Sequence, residues 1–357
     1  MRNKENIKEV LIYLQTTEDK VLDFDEGVIY AAYQKDNDNQ SLAIKILTVF
    51  GGILASIMFL GFLYISGLQN SEKGLLAVGA ICIAGAIWVN KVYDKIIIDT
   101  VSVSSFIIGF ILLGIGFNLQ GIKENTIFII FIIIAICSLC IVQNYLLSFI
   151  SLLIIHGSIL NLIMSNNNHD LIYIYVSALA LMVTYFFLKE AGMITGGKRL
   201  SRLYNPIRIG LILSFLSGLI FFGKKGILAL SPNYTWLCSL TLIATIIYCV
   251  YILLDLLNVI KTQYKVSIYL ASILLLLPTV FSPSISGAIL IILLSFLVNY
   301  KTGFVFGIIA FIYFISQYYY DLEFTLLTKS ILLFSSGVIF LTLYLFTYKT
   351  LTSDEKV

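Results

Sequence analysis

Charge is what this sequence has least of. Only 12% of its 357 residues are Asp, Glu, Lys or Arg, against 59% hydrophobic residues. A water-soluble exterior takes about a quarter charged residues. Half that supply excludes a soluble fold for a 40.0 kDa chain. Proline is scarce as well, with 4 residues, so long unbroken helices are permitted. There are only two histidines, and Cys82, Cys137, Cys140, Cys238 and Cys249 all fall inside apolar runs. That leaves no material for a zinc centre or a disulfide framework, and the Cys137/Cys140 CxxC spacing reads as two small lipid-buried residues. No secretory signal opens the chain, because residues 1–44 are polar and mixed in charge. A net charge of +3 offers no basic footprint for nucleic acid.

What the sequence has is length in its apolar runs. Stretches such as 126–142 and 171–188 are continuous, without the apolar–polar alternation of a transmembrane β-barrel. They match a hydrocarbon core of about 30 Å crossed at about 1.5 Å per residue. A helix meets its own backbone hydrogen bonds, which lipid cannot supply. The expected fold is therefore an all-α, polytopic transmembrane helix bundle. Twelve spans are expected, at 46–68, 74–90, 101–119, 126–143, 145–164, 171–188, 207–223, 235–258, 266–281, 285–299, 302–319 and 326–348. They make a transmembrane domain of residues 45–349 between an N-terminal arm (1–44) and a C-terminal tail (350–357).

Orientation follows from the cations. With the N-terminus inside, Lys73, Lys123, Lys224 and Lys225 fall outside, Lys329 falls within the last span, and the other eighteen of the 23 Lys and Arg residues fall inside. The positive-inside rule thus predicts N-in and C-in in a bacterial inner membrane.

Chemistry-bearing residues are few, and each has a plain structural reading beside the functional one. Gly192 to Arg199 nearly fits the phosphate-binding GxxxxGK[ST] pattern, but Arg199 stands where the metal-binding hydroxyl belongs. A membrane helix also precedes it where a P-loop has a strand, so the segment reads as a basic loop, with Pro206 suited to the first turn of the next span. His156 is the one ionisable residue near the middle of a span. At about 100° per residue, Asn144, Ser148, Ser151 and Ser158 share one side of that helix, and His156 lies beyond its edge. An intramembrane histidine either joins two helices by a hydrogen bond or handles a proton or substrate. Asp255, at the inner end of its span, either pairs with an interfacial lysine or couples an ion.

The run 318–330 is the most distinctive. Tyr318, Tyr319 and Tyr320 form an aromatic belt; Asp321 and Glu323 then sit at the outer surface, and Lys329 can snorkel out to meet them. The group is either a clasp between helix ends or an external binding site. Residues 275–288, with Pro278 and Pro283, are either a tight outer loop or the interrupted helix of a transporter site.

This C-terminal run, YYYxLxxTLLxKS, resembles the uncharacterised bacterial membrane family known as domain of unknown function 4401. The early run from Gly51 to Ser56, with Phe62 and Leu63, resembles the same family. The resemblance implies a polytopic inner-membrane protein whose relatives are encoded beside, or fused to, another multispan protein and a partner bearing a GDYXXLXY signature. It brings no cofactor and no catalytic residue. Two functions stand: a non-enzymatic subunit of an envelope complex, and a secondary transporter of a small solute. An enzyme on lipid-linked phosphates would want arginines outside, yet Arg2, Arg199, Arg202 and Arg208 all fall inside.

Overall fold

Apolar runs that cannot leave a backbone group unpaired in lipid become helices, and every regular element among the described residues is helical. The computed structural model describes residues 51–342 except positions 52, 53, 56, 64, 93–95, 224–229, 231–233, 258–261, 322–326, 329, 332, 333, 336, 339 and 340. The chain divides into two units, Met1–Leu54 and Ala55–Val357, and the first lies almost wholly outside the described residues.

In chain order the helices are α1 (Glu72–Val92), α2 (Ile96–Leu119), α3 (Glu124–Ile141), α4 (Tyr145–Ser165), α5 (Leu171–Leu188), α6 (Glu190–Thr195), α7 (Lys198–Gly223), α8 (Thr235–Leu256), α9 (Thr262–Leu276), α10 (Pro283–Leu297) and α11 (Lys301–Asp321). Residues 51–65 and 327–342 are helical wherever they are described. Nine described helical stretches are long and apolar enough to cross a membrane; α10, at 15 residues, is shorter. Its rise is about 22 Å, less than a hydrocarbon core of about 30 Å.

Two boundaries differ most from expectation. α2 begins at Ile96, which draws Asp99 into its first turn. α7 begins at Lys198, so Pro206 lies inside the helix and not in its first turn. Hydropathy marks where a helix meets lipid; α7 runs past that point through polar residues, and α2 runs through Thr100 and Asp99 to three isoleucines. Lacking an N–H, Pro206 leaves the Arg202 carbonyl, four residues back, without its usual helical donor. The turn before α7 is closed by Gly197 at φ 138°, a conformation open only to glycine.

α7 is the hub of the bundle: it packs on α4, α5, α10 and α11, while α8 lies against α5 and α10. The main core is built where these helices meet, around Phe187, Phe215, Leu219, Leu242, Leu290 and Phe314. A second core joins α1 to α4 through Ile83, Phe106, Phe110 and Leu147. There α1 and α2 make the most extensive contact of the bundle, and their backbones nearly touch. A Cβ on Gly109 would stand 2.9 Å from the Gly79 carbonyl oxygen and 2.5 Å from Ile83 Cγ1. Lipid gives helices no hydrophobic reason to associate, so close backbone approach through small residues supplies the dispersion contacts. Ser105 adds a link by donating to the Cys82 carbonyl at 3.2 Å.

Residues 275–288 form a 3₁₀ turn, Leu277–Phe281, between α9 and α10. It is packed against α8, and hydroxyls meet the groups the turn frees. Ser239 donates to the Val280 carbonyl at 2.7 Å, Thr279 to the Leu276 carbonyl at 2.6 Å, and Ser286 to Thr279 Oγ1 at 2.8 Å. Ser239→Ala should therefore lower the stability of the folded protein by about 1 kcal/mol. Thermal unfolding of the detergent-purified variant reads this directly, and an unchanged midpoint would remove the role given to that bond.

Candidate functional site

The sequence-predicted site residues are dispersed. His156 is buried on α4, where its Nδ1 lies 3.4 Å from the Tyr175 hydroxyl of α5, with the rings edge to face at 6.0 Å. Ser148, Ser151 and Ser158 of the same helix are also buried, and Ser151 reaches Ser138 of α3 at 3.4 Å. Asp255 is exposed, one residue before the end of α8. Asp321 ends α11, half-buried, and accepts a hydrogen bond from Gln317 at 3.2 Å. Glu323 and Lys329 lie outside the described residues. His156, Asp255 and Asp321 are thus carried by three different helices, with no bond among them.

The polar groups that do converge lie at one end of the bundle. Asn90, near the C-terminus of α1, and Asn144, before α4, both donate to Asp99 Oδ1 in the first turn of α2, at 3.1 and 2.9 Å. Arg199, at the start of α7, donates to the Cys140 carbonyl near the end of α3. Arg208, further along α7, meets Glu190 of α6 and Tyr300 just before α11. This is the basic end.

Arg208 sits in an aromatic cage. Its side chain is 7% exposed, and its guanidinium carbon stands 3.6 Å from the Tyr300 ring centroid, 4.8 Å from Tyr204 and 5.8 Å from Phe187. Helical spacing delivers two of its partners: Tyr204 is four residues back and Asn205 three, the latter accepting at 2.8 Å. Glu190 accepts at 2.9 Å, and Tyr204 in turn donates to the Phe186 carbonyl at 3.2 Å. A desolvated cation over aromatic faces is worth about 2 kcal/mol. The arrangement locks the ends of α5, α6, α7 and α11 together around one charge.

Beside it lies a cavity of about 330 Å³, lined among others by Asn90, Lys91, Gln143, Asn144 and Arg202. Asp99 stands behind its wall and fixes two of its amides. Asn144 is fully engaged: its Nδ2 goes to Asp99 and its Oδ1 caps α4 by accepting from the Leu146 N–H at 2.9 Å. Asn90 is engaged on one side only, since its Oδ1 is buried without a partner. Chemically the described lining offers two cations, Lys91 and Arg202.

Sequence reasoning did not single out Asp99, Asn90 or the Arg208 cage. One signal was available for Asp99, which follows three isoleucines and so can fall in a helical first turn, where an acid suits the helix dipole. The pairing of Asn144 with Asp99 spans 45 residues and has no sequence signature. Among the described residues no group of three or more His, Cys, Asp or Glu is placed to hold a metal ion. Cys137 and Cys140 are exposed free thiols on α3.

Residues 41–350 match the model of a family described as Domain of unknown function (DUF4401). No curated protein and no solved structure matches the chain. A match over most of the length, on a chain whose described regular elements are all helical and include nine apolar enough to span a membrane, identifies the chain as a member of the DUF4401 family.

Proposed function

We propose that this protein is a twelve-span, N-in and C-in component of a bacterial inner membrane, acting as a non-enzymatic subunit of an envelope complex. One observation carries the subunit reading: several polar groups within the described spans join one helix to another. Tyr173 bonds Thr235 at 3.1 Å, Thr241 donates to Ser177 at 3.0 Å, and the Ser239–Val280 and His156–Tyr175 contacts do the same work. Residues spent on helix–helix links are not free for acid–base chemistry.

The excess of Lys and Arg at the basic end, where Lys91, Lys189, Arg199, Arg202, Arg208 and Lys301 lie, supports its assignment to the cytoplasm. Asp321, Glu323 and Lys329 then belong to the outer side, where they form the proposed contact for a partner chain. The family resemblance suggests a separate multispan protein or one bearing the GDYXXLXY signature.

A gentle-detergent pulldown of the tagged protein from its native membrane tests the reading. A stoichiometric membrane partner is the expected result, lost when Asp321→Asn and Glu323→Gln are combined. A second reading, transport of a small solute, rests on His156, buried with a long 3.4 Å contact to Tyr175. A protein that purifies alone and carries a solute would overturn the subunit proposal in favour of transport, with His156, Asp255 and residues 275–288 on the path.

A further inference from the structure

Among the described residues, the lining of the cavity at the basic end carries two cations and no carboxylate. Lys91 and Arg202 line it, both exposed, and neither has a hydrogen-bonded or ion-paired partner among the described residues. Asn90 lines it too, 8% exposed, and its Oδ1 is buried and unpartnered. The orientation of this amide is settled by chemistry. Asp99 carries a carboxylate, which accepts only, so the Asn90 nitrogen faces Asp99 and the oxygen faces away. Asn144, on the same carboxylate, has both ends satisfied by the protein. Asn90 Oδ1 is enclosed by the protein and presents no surface to the cavity. What the described lining lacks is a counter-charge for Lys91 and Arg202, and water would not supply one.

We propose that this cavity binds the phosphate group of an anionic organic phosphate. Lys91 and Arg202 hold the anionic oxygens, Arg202 with the fork geometry suited to a phosphate. Asp99 is a positioning residue, since it holds the Asn90 and Asn144 amides of the wall in place. The phosphate can come from a lipid headgroup or from a soluble phosphate ester. The position argues for the headgroup: the cavity opens where α1, α3 and α7 end, and basic pockets at such helix ends take anionic headgroups. A zwitterionic headgroup would bring an ammonium toward two cations and is disfavoured. The inference does not depend on the subunit proposal, because it concerns this chain alone.

The test uses the full-length protein, purified in neutral detergent and stripped of lipid. Thermal unfolding and native mass spectrometry are followed with phosphatidylglycerol, phosphatidylmethanol, phosphatidylcholine or glycerol 1-phosphate. Phosphatidylglycerol is expected to bind at least tenfold more tightly than phosphatidylcholine. Lys91→Gln combined with Arg202→Gln, both exposed and so tolerated by the fold, should remove that preference. The control pair Lys73→Gln and Lys123→Gln, at the other end of the bundle, should leave it intact. Phosphatidylmethanol, an anionic diester without a hydroxyl, should bind as phosphatidylglycerol does, because the phosphate charge is what the two cations hold. Glycerol 1-phosphate displacing phosphatidylglycerol at equal concentration would support the site and assign it to a soluble ester. Equal binding of all lipids, or a preference that survives the double substitution, would overturn the proposal.

Discussion

Gly109→Leu is expected to abolish recovery of folded protein from the membrane, while Gly85→Leu on the neighbouring helix leaves recovery near that of the native chain. The difference lies in what surrounds each position. Even a lone Cβ on Gly109 would come within 2.9 Å of the Gly79 carbonyl oxygen, and backbone cannot step aside as a side chain can. A Cβ on Gly85 has nothing within 4 Å. Overpacking a close contact costs about 1–3 kcal/mol, and a leucine here must separate two helices along the largest interface of the bundle. The loss should therefore be about 3 kcal/mol or more for Gly109→Leu and about 1 kcal/mol for Gly109→Ala. The measurement is the yield of monodisperse protein by size-exclusion chromatography in mild detergent, followed by thermal unfolding of what survives. Equal behaviour of the Gly85 and Gly109 variants would mean that α1 and α2 do not meet through their glycines.

Glu190→Ala should be nearly as damaging, and for an electrostatic reason. It leaves the Arg208 guanidinium, 7% exposed, without its carboxylate. Breaking one partner of a buried pair costs about 3–5 kcal/mol because the remaining charge is uncompensated. Glu190 itself is 26% exposed, so water reaches the site and about 3 kcal/mol is the expected loss. Arg208→Met combined with Glu190→Ala removes the stranded charge, and it should recover at least about 1 kcal/mol of that loss. The double-mutant cycle, read by thermal unfolding, separates this from simple loss of packing. If Glu190→Ala alone matches the native protein, the cage does not lock α6 and α7.

These two tests address interactions that differ in how far they could be read in advance. The α1 and α2 glycines lie within runs identified as spans, but which glycine meets which carbonyl depends on helix rotation and crossing. The Ser148, Ser151 and Ser158 stripe was legible, because helical periodicity alone places these residues on one side. Arg208 was read only as a cytoplasmic cation at the start of the span 207–223, because cations near a span end are the ordinary mark of that side, and Glu190 carried no signal. Only when α7 starts at Lys198 do Tyr204 and Arg208 share one helix, a turn apart. Residues 275–288 posed a choice between a plain loop and an interrupted helix. The buried hydroxyls of Ser239, Thr279 and Ser286 give this segment the form of a packed 3₁₀ turn.

The amino-acid sequence by itself determined the solvent and the class of structure. A chain with 12% charge and long apolar runs must lie in lipid, and lipid leaves the backbone no choice but to bond within each segment. Approximate helix positions follow from that constraint without any knowledge of packing. The tertiary structure alone decided which polar groups meet. Asp99 with Asn90 and Asn144, and Arg208 with Glu190 and Tyr300, come from segments far apart in the chain, joined only once the helices pack. Hydropathy records how each residue meets lipid and carries no information about partners. The cavity between Asn90, Lys91 and Arg202 exists only because α1 and α7 bring their ends together.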